Sequence, residues 1–121
     1  MGVDCKLFVL EKFSGWETPG YVRHVFTLTR ERGLWAYLEQ PGKPWLGVQL
    51  PAGGHSRYSD RSGNADLESG YLFDDPYGAP LESVRGADLP PESVSQYPQN
   101  QTILKLIRER FPDHDVVVYW C

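Results

Sequence analysis

The side chains best suited to catalysis are concentrated between residues 55 and 60. His55, Arg57 and Asp60 lie in this segment, and Asp74 follows in a later turn. Histidine is the usual general base near neutral pH, arginine suits a phosphate or a carboxylate, and an aspartate can orient the imidazole. These residues would fit a small hydrolase or a nucleotide-binding enzyme. Polar loops contain the same residue types by composition. An enzyme is therefore the second interpretation, after a protein-binding function.

Three other chemically active groups have a structural explanation. His24 lies in an apolar segment and is expected to be a satisfied core or edge histidine. His114 stands between two aspartates, but adjacent residues in a turn seldom converge on one ion, so a solvated turn is expected. Asp75 opens a segment, 75–78, with Asp, Pro and Gly at the positions that a type I turn favours. Its carboxylate is therefore explained by capping the turn's amides.

The sequence contains no motif for a phosphate, a metal or a cofactor. The glycines at 53 and 54 lack the spacing of a phosphate-binding loop, and no Gly-x-Ser-x-Gly nucleophile elbow occurs. Cys5 and Cys121 are too few for a disulfide framework or a zinc site. We expect no cofactor and no metal, and we interpret Cys5 as a buried packing residue.

Aromatic residues are the most unusual feature of the composition. They make up 13% of the chain, with four tryptophans and seven tyrosines, which is more than one small core needs. Tryptophan and tyrosine are enriched among the residues that dominate protein interfaces. The candidate binding residues are Trp16, Trp35, Trp45, Tyr58 and Tyr77. This surplus favours a protein-binding function.

Charge and hydropathy restrict the partners of the chain. A net charge of −4 argues against nonspecific binding to nucleic acid. Arg30, Arg32, Arg108 and Arg110 could form a basic face only if the fold gathered them. No apolar run approaches the length of a membrane span, about 18 residues, and the first residues do not resemble a signal peptide. We expect a cytoplasmic protein that binds no membrane, with nucleic acid as the least favoured partner.

The best-defined elements lie at the C-terminal end of the chain. Apolar residues recur there at helical spacing of three and four: Ile103, Leu104, Ile107 and Phe111. This predicts a helix over 101–111, with Asn100 as its N-cap and Pro112 as its end. Residues 116–120 follow as an apolar run without alternation, which indicates a strand covered on both faces. We therefore expect packing to explain this whole unit, and a functional site to lie elsewhere.

The sequence defines the other elements less clearly. Residues 5–10 are a second strand, continuously apolar from 7 to 10 and expected beside 116–120, and 21–29 form a further strand. The segment 30–40 fits a helix capped by Thr29, or a strand after a hairpin; the helix is favoured. Residues 52–66 form a Gly- and Ser-rich loop, which in a compact domain is either functional or disordered.

Several short segments resemble a group of small uncharacterised bacterial and phage proteins. The shared pattern comprises residues 75–81, Val84 and 87–89, with an opening like 2–7 and a close like 116–120. The resemblance covers most of the chain and implies a common fold, but it implies no activity. The pattern ends in a histidine where this chain has Cys121.

The predicted fold is a single α+β domain spanning residues 1–121. A small, mainly antiparallel sheet has 3–10, 22–28 and 115–120 at its centre, and the C-terminal helix packs on one face. We interpret the protein as a non-enzymatic interaction factor of a phage or bacterium, for example an inhibitor or modulator of a host or defence protein. Its partner is then a host or bacterial protein, or a second copy in a homodimer. The small hydrolase or nucleotide-binding enzyme is the alternative, and a nucleic-acid-binding module is third.

Overall fold

The two continuous apolar segments form neighbouring strands at the centre of the sheet. A computed structural model of the chain describes residues 4–11, 20–40, 42–45, 48–49, 65–66, 71–72, 74–75 and 77–121. Strand β1 (Cys5–Leu10) runs antiparallel to β8 (Asp115–Trp120). The pairing continues past the strand ends, because the backbones of Asp4 and Cys121 exchange two hydrogen bonds of 2.9 Å.

Two further strands complete an antiparallel centre, and short strands extend it. β2 (Gly20–Thr27) flanks β1, and β7 (Glu82–Arg85) flanks β8. The two-residue strands are β3 (Lys43–Pro44), β4 (Val48–Gln49), β5 (Ala65–Asp66) and β6 (Tyr71–Leu72). The order is β3-β7-β8-β1-β2-β4-β6-β5, and only β2 and β4 pair in parallel within the described residues. The predicted α+β fold with a central C-terminal strand is confirmed.

Within the described residues, two α-helices cover one face of this sheet. They are α1 (Arg32–Leu38) and α2 (Pro98–Arg110), with 3-10 turns at Gly86–Asp88 and Glu92–Val94 between them in the chain. The helical interpretation of 30–40 is confirmed. Its predicted cap is wrong, because α1 begins after Glu31 and the backbone of Thr29 is bonded elsewhere.

The core of the described part of the chain consists of two apolar clusters, one on each face of the sheet. The cluster under the helices contains Cys5, Leu7, Val9, Leu28, Leu34, Leu38, Leu89, Ile103, Leu104, Ile107 and Val116. The cluster on the opposite face contains Phe8, Leu10, Val48, Leu81, Val117 and Tyr119. Alternate residues of β1 and β8 enter alternate clusters, so residues 7–10 and 116–120 are apolar without interruption. This explains why their sequences show no period of two.

Strand β2 contains a bulge that changes which of its residues face each cluster. Val22 and His24 pair with consecutive residues of β1, which leaves Arg23 as an extra residue. Val22 and Val25, three positions apart, therefore both pack against the opposite-face cluster. The regular alternation of faces along β2 is therefore interrupted at Arg23.

The start of α2 differs from the prediction. The helix begins at Pro98, a residue favoured in the first turn because its missing N–H would have had no helical partner. Asn100 is therefore inside the first turn, and the prediction that it caps the helix is wrong. It is fully buried, and it bonds Thr29 instead: the Thr29 amide donates to Oδ1 at 2.7 Å, and Nδ2 donates to the Thr29 carbonyl at 2.8 Å.

A close backbone contact fixes the first 3-10 turn against the end of α2. A Cβ at Gly86 would overlap the carbonyl oxygen of Phe111, so only glycine fits.

None of the helices in the described part of the chain is both long enough and apolar enough to span a membrane.

Candidate functional site

The predicted turn at 75–78 presents Tyr77 to solvent. The Gly78 amide donates to the Asp75 carbonyl at 3.0 Å, and the Asp75 carboxylate accepts from the amides of Tyr77 and Ala79 at 2.9 and 3.0 Å. Gly78 has a positive φ of 84°, which its lack of a Cβ permits. Asp75 is buried and Tyr77 is 61% exposed, so the carboxylate holds the turn and the phenol projects from it.

A groove runs between α1 and the strands β7 and β8 on the helix-covered face. Its aromatic end, about 300 Å³, is lined by Trp35, Glu39, Asp75, Tyr77 and Trp120. Its apolar end, about 330 Å³, is lined by Tyr37, Leu38, Gln40, Val84, Asp88, Leu89, Pro90 and Val118. A narrow section of about 50 Å³ shares residues with both ends and adds Gly42 and Glu82. We refer to these three sections together as the α1 groove.

The aromatic end is a corner made by two indole rings. Trp35 on α1 and Trp120 on β8 meet edge to face, with ring centroids 5.6 Å apart and planes at 79°. Both are half-buried, and Tyr77 adds a third, exposed ring from the turn. Three aromatic side chains from separate elements thus surround one open space.

The ionisable groups of the groove are of one sign. Glu39, Asp75, Glu82 and Asp88 line it, and no lysine, arginine or histidine does so among the described residues. Glu82 accepts a hydrogen bond from the Gly42 amide at 3.2 Å. A surface with apolar floor and acidic edge attracts cationic, partly apolar ligands.

The structure brings together two of the five predicted binding residues. Trp35 and Tyr77 meet at the aromatic end. Trp45 packs against the opposite-face cluster, where its indole nitrogen is buried with no hydrogen-bond acceptor in the described part of the chain. Trp16 and Tyr58 lie outside the described residues.

Trp120 joins the site although the sequence indicated a strand covered on both faces. Trp120 and Val118 are only half-buried on the face of α1, so that expectation is wrong for these two positions. Helix α1 has seven residues and extends roughly 10 Å, so among the described elements it covers these two positions only in part. The period-two spacing of 116, 118 and 120 was the available signal, because it places these residues on one face.

The residues of the alternative enzyme cannot be placed as a group. His55, Arg57 and Asp60 lie outside the described residues, and their role stays a prediction. Asp74 is half-buried and forms an isolated bridge with Pro80 at the neck of the turn. Its position is that of a turn residue.

The two described histidines both contact Phe111. His24 is exposed, with its ring 5.0 Å from that of Phe111, and His114 lies 5.2 Å from the same ring. The prediction that His114 is solvated is wrong, because it is half-buried and its Nδ1 lies 2.8 Å from the Leu10 carbonyl. A carbonyl only accepts, so Nδ1 carries the proton. Among the described residues no group of three His, Cys, Asp or Glu side chains could hold a metal.

Cys5 is a packing residue, as predicted. It is fully buried in the helix-side cluster, and burial raises the pKa of its thiol far above the ordinary value. The thiol is therefore protonated and a poor nucleophile.

A closed polar cluster lies at the other end of α1 from the aromatic corner. The Glu31 carboxylate accepts hydrogen bonds from Ser95 Oγ at 2.5 Å, the Gln96 amide at 2.7 Å and Asn100 Nδ2 at 3.3 Å. Burial by itself raises the pKa of Glu31, but these three hydrogen bonds outweigh it and hold the pKa below its ordinary value. The cluster ties the start of α1 to the start of α2.

The four arginines proposed for a basic face are divided along α2. Arg30 and Arg32 lie near its first turn, which bonds Thr29 and Glu31, whereas Arg108 and Arg110 are in its last turn. Arg30 donates two hydrogen bonds to Asp4, at 2.6 and 3.2 Å, and these lower the pKa of the Asp4 carboxyl. The helix is about 20 Å long, so the two pairs are well separated.

Comparison with known proteins identifies no relative. No protein-family model, curated protein or solved structure matches the chain. The groove, its residues and its charge are therefore the basis for inferring a function.

Proposed function

We propose that the protein is a non-enzymatic interaction factor that binds a partner protein in the α1 groove. The observation that carries the proposal is the convergence of Trp35, Tyr77 and Trp120 at one end of an open groove. Large aromatic side chains in partly desolvated positions supply most of the binding energy at protein interfaces. Half-buried valines continue the apolar surface from this corner toward the other end of the groove.

The biological setting is part of the same proposal. We propose a cytoplasmic protein of a phage or bacterium whose partner is a host or bacterial protein, for example a defence protein that it inhibits or modulates. The resemblance to small bacterial and phage proteins supports this setting. The acidic groove adds that the partner surface is basic, because like charges across an interface lower affinity.

A pull-down from bacterial lysate with matched tyrosine variants tests the proposal. Tyr37→Ser combined with Tyr77→Ser removes one exposed aromatic ring from each end of the groove. Tyr37 and Tyr77 are 51% and 61% exposed, so the core is untouched. The control is Tyr97→Ser, which removes a 46% exposed tyrosine that precedes α2 and does not line the groove.

We expect a protein that is captured by the wild type and by Tyr97→Ser and is lost with the double variant. The dissociation constant for the identified partner should rise at least about tenfold in the double variant, since truncation of a central interface tyrosine costs about 1–2 kcal/mol. Equal capture by all three proteins, or a complex formed only by two copies of this chain, would contradict the proposal.

A further inference from the structure

We propose that the aromatic end of the α1 groove binds an arginine side chain of the partner protein. The inference rests on the proposed function and specifies the chemistry of the partner segment. That segment carries an arginine for the aromatic end and an apolar residue for the apolar end. Trp120 and Val118, which belong to the two ends, are two residues apart on one strand face, a separation of about 7 Å. An extended partner segment can span that distance with residues two positions apart.

The geometry of the corner suits a flat cation. Trp35 and Trp120 form two walls at 79°, and Tyr77 lies at the open side. A cation over an aromatic face within about 6 Å of the ring centre is attracted by the ring quadrupole, most strongly by tryptophan. A guanidinium can stack on one indole, and its N–H groups then remain directed outward at its edge.

Glu39 supplies a carboxylate at this corner. It follows the last residue of α1, is exposed, and makes no side-chain hydrogen bond or ion pair within the described residues. Asp75 adds a second negative charge, although its carboxylate already accepts bonds from the turn. Arg30 lies near Tyr77, but its guanidinium is held by Asp4. The corner thus combines aromatic faces with an anion that has room for a partner cation.

Arginine fits this corner better than lysine or a quaternary ammonium. The space is open, and a lysine ammonium is strongly hydrated. It would lose favourable contacts with water and gain little from the aromatic rings in return. Quaternary ammonium groups are bound by cages that enclose them, and the described lining, two indole walls with one outer ring, does not enclose a ligand. The weakly hydrated, planar guanidinium gains most from a single exposed indole face.

Nuclear magnetic resonance with small probes tests the assignment directly. The indole N–H signals of Trp35, Trp45 and Trp120 are followed while N-acetyl-L-arginine amide is added. N-acetyl-L-citrulline amide, which has nearly the same shape without the charge, is the control ligand. We expect the arginine probe to shift Trp35 and Trp120 but leave Trp45 unchanged, and to bind at least about fivefold more tightly than the citrulline probe.

Two variants and two further probes sharpen the result. Glu39→Gln should weaken the arginine probe roughly fivefold, whereas Glu109→Gln, an exposed change on α2, should not. The corresponding lysine and trimethyllysine amides should bind more weakly than arginine. Equal binding of arginine and citrulline, equal binding of arginine and either lysine compound, or no effect of Glu39→Gln would overturn the assignment.

The outcomes for the subsite and for the proposed function can be separated. A partner that is captured through the groove but binds unchanged when its arginines are replaced would overturn the arginine subsite and leave the proposed function standing. Specific binding of the arginine probe, together with no groove-dependent protein partner, would support the subsite and overturn the proposed function.

Discussion

Helix α1 is flanked by two glutamates with opposite surroundings. Before the helix, Glu31 is half-buried and accepts three hydrogen bonds from residues near the start of α2. After the helix, Glu39 is exposed at the aromatic end of the groove, and its carboxylate bonds no described residue. Two identical side chains lie eight positions apart. Glu31 thus belongs to a closed structural junction, whereas Glu39 belongs to an open surface.

The difference teaches how to distinguish a structural polar group from one that is available to a partner. At the Glu31 junction, the neighbouring donors are already satisfied, and Asn100 uses both ends of its amide on Thr29. Buried polar groups are costly unless they are paired in this way. At the corner, aromatic surface and carboxylate are left partly exposed, which is typical of a binding surface.

The largest predicted effect is on the closed junction. Asn100→Ala leaves the amide and carbonyl of half-buried Thr29 without their partner and removes one donor from Glu31. We expect the free energy of unfolding to fall by about 2–4 kcal/mol, the range for leaving buried groups unpaired. Urea denaturation followed by tryptophan fluorescence measures it. Thr102→Ala, an exposed change in the same helix, should stay within about 0.5 kcal/mol, and a similar value for Asn100→Ala would contradict the role of the junction.

A smaller effect on stability is predicted for the loss of the Glu31 carboxylate. Glu31→Gln keeps the shape of the side chain but replaces charge-assisted hydrogen bonds with weaker neutral ones. We therefore expect the free energy of unfolding to fall by about 1–2 kcal/mol at pH 7. Urea denaturation of the variant and the wild type at the same pH gives this difference. The control is Glu39→Gln at the other end of the helix.

The pH dependence of that loss is a separate prediction. The folded-state pKa of Glu31 is lowered, so its stabilisation is present above the unfolded pKa, about 4.3, and is lost as the pH falls through the folded value. The difference between wild type and Glu31→Gln should therefore shrink from pH 6 to pH 3 in a series of urea titrations. A difference that stays constant or grows on acidification would show that the charge of Glu31 does not stabilise the fold.

The smallest effect on stability is predicted for the open end of the helix. Glu39→Gln and Tyr77→Ala remove exposed groups that contribute little to the core, so each should change the free energy of unfolding by less than about 0.5 kcal/mol. Thermal and urea denaturation measure this. A loss above about 1.5 kcal/mol for either variant would mean that the corner is structural, and the contrast with Glu31 would disappear.

Local patterns predicted the elements, whereas contacts distant in sequence decided the site. The apolar runs of β1 and β8, the helical spacing after residue 100 and the Asp75 turn are each encoded within a few residues. Asn100 looked like a helix cap because its partner, Thr29, is 71 positions away. His114 looked solvated because its partner is the Leu10 carbonyl, 104 positions away.

The groove was beyond sequence reasoning for a related reason. Its aromatic end requires α1, the Asp75 turn and the end of β8 to meet, and its openness depends on how far a seven-residue helix reaches across the sheet. The aromatic surplus correctly pointed to Trp35 and Tyr77 as exposed or half-buried rings, but Trp120 was assigned to the core because its strand has no alternation. Composition identified the residue types, and only tertiary structure placed them.

The bulge at Arg23 gives strand β2 one residue that its pairing with β1 does not use. Val22 and His24 already pair with the neighbouring residues Leu10 and Val9 of β1, so deleting Arg23 would convert the bulge into a regular stretch of strand. Val22 would then lie directly next to His24 and would still face the opposite-face cluster, because successive residues of a regular strand point to opposite faces. The register on β1 and the pairing of Gly20 and Tyr21 with β4 would be kept. A single-residue deletion, which ordinarily turns part of a strand to the wrong face, should therefore be tolerated at this position.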